Sequence, residues 1–141
     1  MKIFGMGESH CDPNRILIVD DEAQIRRLFN MIVSSLPGVT VDLACNGVEA
    51  VRLFREKHYG IVTMDVRMPV MGGVEAFRAI EKICEEDKIK LPPFIFCTGF
   101  APTGEVGEIV GDGDYHMLLL KPAMSSAILD AVQSRIKIVK P

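Results

Sequence analysis

Ile16-Leu17-Ile18-Val19 is followed at once by Asp20-Asp21, and this pattern, a short apolar run closed by a polar side chain, decides the fold because it returns. Ile61-Val62-Thr63-Met64 ends at Asp65, Phe94-Ile95-Phe96-Cys97 at Thr98, and Met117-Leu118-Leu119-Leu120 at Lys121. Runs that are apolar at successive positions, not alternate ones, read as strands buried on both faces, as in a parallel sheet covered by helices. A fifth segment, Val39 to Ala44, alternates more and leads to Asn46-Gly47, which suits a strand nearer a sheet edge.

Helical spacing fills the intervals. Residues 22–35 place Ile25, Leu28, Phe29, Ile32 and Val33 on one face, and Leu36-Pro37-Gly38 stops the pattern. Asn46 is the expected cap of a second helix, with Glu49 three residues on as in a capping box, and Val48, Val51 and Phe54 as its apolar face. Residues 73–86 bring Val74, Phe77, Ile80 and Ile83 inward, and a last helix over about 125–138 offers Ile128, Val132 and Ile136. Between them, Gly104, Gly107, Gly111 and Gly113 punctuate a segment in which each interior glycine costs a helix roughly 1 kcal/mol, so the fourth helix is expected to be short. Five rounds of strand and helix with right-handed crossovers give an α/β three-layer sandwich on a five-stranded parallel sheet. The domain is expected over 15–138, with a flexible extension over 1–14 and a tail over 139–141.

The composition agrees with one such domain. A chain of 141 residues with 48% hydrophobic content buries enough surface to fold without disulfides or structural metal. Sixteen Lys and Arg against nineteen Asp and Glu leave a formal net charge of −3, which removes the cationic field that sequence-independent nucleic-acid binding needs. Cys11, Cys45, Cys84 and Cys97 make no Cys-x-x-Cys pair, so zinc and thioredoxin-type chemistry lack their ligands, and reducing cytosol is the expected compartment. His10-Cys11-Asp12 are neighbours in sequence, which prevents them from converging readily on one ion. No apolar run approaches the length of a membrane span.

In an open parallel sheet, ligands bind beyond the carboxyl ends of the strands, near the point where the strand order reverses. Those ends carry Asp20, Asp21, Asp65, Thr98 and Lys121. Crowded carboxylates repel unless a cation intervenes, and hard oxygen ligands suit Mg²⁺, which keeps waters and leaves room for a phosphate oxygen. A lysine and a threonine hydroxyl opposite that cation neutralise and hydrogen-bond the other phosphate oxygens. Phosphoryl transfer is the implied chemistry. Taken singly, each element has a plainer reading: Asp20-Asp21 as a helix cap, Asp65 as a loop residue, Lys121-Pro122 as a strand exit. Their joint occurrence outweighs those readings.

Asp20-Asp21, the run Met64-Asp65-Val66-Arg67-Met68-Pro69-Val70-Met71-Gly72-Gly73, Thr98-Gly99 and Lys121-Pro122, in this order, make the chain resemble the receiver domain of a two-component response regulator over about residues 15–138. The resemblance implies a flavodoxin-like strand order 2-1-3-4-5. It also implies Asp65 as the phosphoacceptor, with Asp21 and Asp65 as direct Mg²⁺ ligands, Asp20 acting through water, and the backbone carbonyl of Arg67 as a further ligand. Thr98 and Lys121 would meet the phosphoryl group, and the Lys121-Pro122 peptide is expected to be cis. The implied donor is a sensor histidine kinase or a histidine phosphotransfer protein. The implied output is altered binding of a downstream protein target or effector domain, with self-phosphorylation and self-dephosphorylation as the only chemistry, and without nucleic-acid or membrane binding.

The chain departs from the family pattern at several places. Leu118 stands where an aromatic residue is usual, and Tyr115 is out of register to replace it. Arg67 and Phe100 flank the path of the attacking water, where they are expected to slow dephosphorylation, and Gly99 stands where alanine is commoner. The alternative function is a Mg²⁺-dependent phosphohydrolase with an aspartyl-phosphate intermediate, but such enzymes carry Asp two residues after the nucleophile, and here that residue is Arg67. A flavodoxin-like nucleotide or flavin binder needs a phosphate-cradling loop where this chain has Asp20-Asp21-Glu22. His58 and His116 read as surface or boundary residues.

Overall fold

A computed structural model describes residues 11–99 and 104–139. Five parallel strands, β1 (Asp12–Val19), β2 (Thr40–Ala44), β3 (Tyr59–Asp65), β4 (Phe94–Thr98) and β5 (Met117–Leu120), lie in the order β2-β1-β3-β4-β5. The helices between and after them are α1 (Ala23–Val33), α2 (Gly47–Lys57), α3 (Gly73–Asp87), α4 (Glu105–Val110) and α5 (Ser125–Val139).

The side-chain alternation of each strand sorts the core into two layers. Leu17, Val19, Val62, Met64, Phe94 and Phe96 meet Ala50 and Phe54 of α2, Ala76, Phe77, Ile80 and Ile83 of α3, and Val106 of α4. Ile16, Ile18, Ile61, Ile95 and Cys97 face Phe29 and Val33 of α1 and Ile128, Ala131 and Val132 of α5. Both faces of the central strands are therefore dry, as their unbroken apolar runs require, and each large side chain so buried contributes about 1.5–3 kcal/mol.

Asn46 caps α2 by accepting a hydrogen bond from the Glu49 backbone N–H at 2.9 Å, while the Glu49 carboxylate returns to the Cys45 N–H at 3.0 Å. The capping box is thus closed one residue earlier than its usual partner. Helix α4 is the short one, six residues between Gly104 and Gly111, both at φ +57°.

Several boundaries and faces differ from the sequence reading. Strand β1 starts at Asp12, three residues before the expected boundary, because Gly60 has no Cβ to collide with the Asp12 carbonyl and the Pro13 backbone. Helix α5 takes in Val139, which is buried, so residue 139 is helix and not tail. Strand β5 is an edge strand with a neighbour on one side, so its apolar run is half-buried and Leu120 is 55% exposed. Leu28 and Val48 are exposed: the buried stripe of α1 narrows to Phe29 and Val33, and that of α2 runs through Gly47, Ala50 and Phe54. Among the described residues no helix is long and apolar enough to cross a membrane.

Candidate functional site

Strand register brings the polar strand ends to one level. Val19 pairs with Met64, so Asp20 and Asp65 emerge side by side from β1 and β3; Asp65 in turn pairs with Cys97, and Thr98 with Leu120. The order β2-β1-β3 sends the chain to opposite sides of β1, which opens the crevice at the β1 and β3 ends. Two backbone bonds finish the strand exits: the Asp20 N–H donates to the Ala44 carbonyl at 3.2 Å and the Lys121 N–H to the Thr98 carbonyl at 2.8 Å. The Lys121-Pro122 peptide is cis.

Asp21, Glu22, Asp65, Arg67, Thr98, Gly99 and Lys121 line a cavity of about 230 Å³ at this level. Asp20, Asp65 and Thr98 are 3%, 6% and 3% exposed, whereas Asp21 is open to solvent. One oxygen from each of Asp20, Asp21 and Asp65 lies within 4.8 Å of the others, a spacing that can hold a metal ion. Both oxygens of Asp20 are engaged, Oδ1 by the Glu22 N–H at 2.9 Å and Oδ2 by Lys121 Nζ at 2.6 Å. Lys121 Nζ also lies 3.5 Å from Asp65 Oδ2.

The charges follow from this crowding. Burial and then the negative charge of Asp20 push the Asp65 carboxyl up to about 7, against the opposing pull of Lys121. Burial alone would lower the Lys121 pKa, but its hydrogen bond to Asp20 and the charges of Asp20 and Asp65 outweigh that and leave it raised. Burial pushes the neighbouring Cys97 thiol up to about 12, so it is present as a neutral thiol. The cluster holds more negative charge than its one ammonium balances, and hard oxygen donors of this kind fit a divalent cation such as Mg²⁺.

All the site residues named from the sequence that fall within the described chain line this crevice or bond to its lining. Phe100 lies outside the described residues. Leu118 is half-buried and packs against the core layer of α2, α3 and α4. Two parts of the region gave little signal in the sequence. Arg26 reaches from α1 to donate to the Asp20 carbonyl at 2.7 Å, a single contact that no sequence pattern announces. His116, read as a boundary residue, is instead built in: its Nδ1 accepts the Phe94 N–H at 2.9 Å, and its ring meets Phe77 edge-on.

An open parallel sheet with carboxylates, a hydroxyl and an ammonium gathered at its switch point defines a doubly wound protein equipped to handle a phosphoryl group. Residues 16–133 match the response regulator receiver domain, and the chain belongs to that family: it is a CheY-like receiver domain of two-component signalling. It is 34% identical to the chemotaxis protein CheY of Thermotoga maritima over 118 residues, covering 84% of this chain and 93% of that one. It is 45% identical over 106 residues to the regulatory protein AtoC of Escherichia coli, 75% of this chain but 22% of that protein, so it spans about a fifth of AtoC. Among solved structures it resembles the receiver domain of a sensor histidine kinase from Pseudomonas aeruginosa, which has a magnesium ion coordinated in its active-site cleft. That match has a TM-score of 0.72 and 27% identity and covers 88% of this chain and 98% of the other.

Proposed function

We propose that Asp65 is the phosphoacceptor of this receiver domain and that Asp21, Asp65 and the Arg67 carbonyl hold a Mg²⁺ ion, with Asp20 reaching it through water. The observation that carries the reading is the juxtaposition of Asp20, Asp21 and Asp65 within 4.8 Å, with Lys121 bridging two of them. Both Asp20 oxygens already accept hydrogen bonds, which suits an indirect role. Bound Mg²⁺ supplies positive charge to the phosphoryl oxygens and to the carboxylates around them.

Asp65 is then the nucleophile: one carboxylate oxygen forms a bond to phosphorus as the P–N bond to a donor phosphohistidine breaks and the imidazole leaves. Lys121 turns its ammonium from Asp20 toward the new phosphoryl oxygens, and Thr98 offers its hydroxyl to another. The donor is a histidine kinase or histidine phosphotransfer protein, and the output is altered binding of a protein target, without further enzymatic activity. A cytosolic location goes with this reading, as the four free thiols suit a reducing compartment.

The test is to incubate the protein with acetyl phosphate and Mg²⁺ and to map the adduct by mass spectrometry. A single phosphate on Asp65 is expected, absent in Asp65→Asn and absent in EDTA. Full labelling of Asp65→Asn, or labelling indifferent to EDTA, overturns the assignment. Turnover of a phosphate ester by unlabelled protein would point instead to the phosphohydrolase alternative.

A further inference from the structure

We propose that Arg26 is a positioning residue for the cation site, holding the β1–α1 corner so that Asp21 presents its carboxylate toward Asp65; the inference rests on the Mg²⁺ reading above. Asp20 directly follows β1, and its carbonyl accepts a side-chain hydrogen bond from α1. Arg26 donates it from the first turn of α1, Nη1 to Asp20 O at 2.7 Å.

The corner is pinned from three sides. The Asp20 N–H is tied to Ala44 of β2, its carboxylate accepts the Glu22 N–H, and the Glu22 carbonyl accepts the Arg26 N–H at 3.0 Å. Asp21 sits between these anchored residues, so its backbone position is set by them. Its side chain is exposed, so it is aimed by this fixed backbone and by its hydrogen bond with Asp65 and not by packing. Arg26 therefore acts through Asp20 and Asp21 without being a ligand.

The sign of the effect separates this role from simple electrostatics. Arg26 is a positive charge near a cation site, and removing that charge by itself should tighten cation binding. If the guanidinium instead holds the corner in shape, removing it should weaken binding. Arg27, next to it and exposed, provides the control: Arg27→Met deletes the same charge without touching the Asp20 carbonyl.

The experiment is calorimetric titration of the full chain with Mg²⁺ alone, for the unmodified protein, Arg26→Met, Arg26→Lys and Arg27→Met, with amide exchange of Glu22 followed in cation-free buffer. Arg26→Met should bind Mg²⁺ about ten-fold more weakly than Arg27→Met, the size expected for residues that orient a ligand. Arg26→Lys keeps the charge and should fall between the two, which preserves the comparison if the Met variant folds poorly. Glu22 should exchange faster in both Arg26 variants than in Arg27→Met. Mg²⁺ affinity in the Arg26 variants equal to or tighter than in Arg27→Met overturns the proposal. If the unmodified protein binds no Mg²⁺, the site reading falls, and Glu22 exchange alone decides the corner: faster exchange in the Arg26 variants upholds the anchoring, and equal exchange refutes it.

Discussion

Lys121 Nζ lies 2.6 Å from Asp20 Oδ2 and 3.5 Å from Asp65 Oδ2, so in the unphosphorylated domain the ammonium rests chiefly on Asp20. One cation here balances two buried carboxylates, and the arrangement is tense because removing either sign of charge has an opposite consequence. Lys121→Met leaves Asp20 and Asp65 facing each other, and it should destabilise the domain by about 3 kcal/mol in chelator, the lower end for breaking a buried pair. Asp65→Asn relieves the same repulsion and should stabilise the domain by about 1 kcal/mol under the same conditions, since a neutral amide replaces a charge that burial and Asp20 both disfavour. Added Mg²⁺ should raise the melting temperature of the unmodified protein and of Lys121→Met, and that of Asp65→Asn less, because binding to the folded state alone adds RT ln(1 + [L]/Kd). Thermal melts with EDTA and with Mg²⁺ check all three, and a loss of stability in Asp65→Asn would contradict the balance.

His116 sets an acid limit on stability. Burial first, and the positive charge of Arg135 second, depress its pKa to about 4 from an ordinary 6.5. Its Nδ1 accepts the Phe94 N–H, which it can do only when that nitrogen carries no proton. The folded state binds a proton less readily than the unfolded chain, so the contribution is intact above about pH 6.5 and is lost as pH falls toward 4. Allowing for its partial exposure, the loss is on the order of 1–2 kcal/mol. His116→Asn places an amide oxygen near Nδ1 and should flatten this part of the profile. Chemical denaturation of both proteins between pH 7 and 4 isolates the difference from the carboxylates they share.

Val70 is strained and nearly solvent-bound. It has φ +71° and is 81% exposed, and Met71 N–H bonds back to the Pro69 carbonyl at 2.8 Å across it, closing a γ-turn. The turn is imposed from outside: the Met71 carbonyl accepts the Gly47 N–H, and the Val66 carbonyl accepts the Gly73 N–H. A β-branched residue in this region costs about 1–3 kcal/mol, whereas glycine accepts the angle and adds about 0.5–1 kcal/mol of chain entropy. Val70→Gly should therefore raise stability by about 1 kcal/mol in urea melts, and unchanged or lower stability would show that the strain is not borne at Val70.

How much of this was legible in the sequence depends on whether a feature is periodic. The strand ends Asp20, Asp65, Thr98 and Lys121 were readable because each closes an apolar run, and register alone then brings them level. The start of β1 was not, because it depends on Gly60 lying bare against Asp12, a contact between residues far apart in the chain. Leu28 and Val48 fit a helical face on paper but fall outside the narrow stripe their helices bury, which the neighbouring elements determine. The bonds of Arg26 to Asp20 and of His116 to Phe94 are specific, single contacts with no repeating pattern to announce them.

A difference between β5 and α4 decides where phosphorylation should be felt. Leu118 has no ring to follow Thr98 and no polar tip to gain by turning outward, and it packs on the core layer of α2, α3 and α4. Helix α4 is only six residues long, carries Val106 as its one buried residue, and is bounded by Gly104 and Gly111 at φ +57°. Little local free energy therefore resists its opening or reorientation. A ligand shifts an equilibrium only through its different interaction with the two states, so new contacts of the phosphoryl group with Thr98 and Lys121 must be passed on by the segments that follow those residues. The segment after Thr98 leads directly to α4. Amide exchange measured with Mg²⁺ alone and then with beryllofluoride added as a phosphoryl mimic should show its largest change in residues 98–114 and little in 115–119. In Thr98→Ala the change over α4 should shrink while Asp65 still accepts phosphate from acetyl phosphate. Exchange that alters most around Leu118 while α4 stays constant would place the switch in β5 instead.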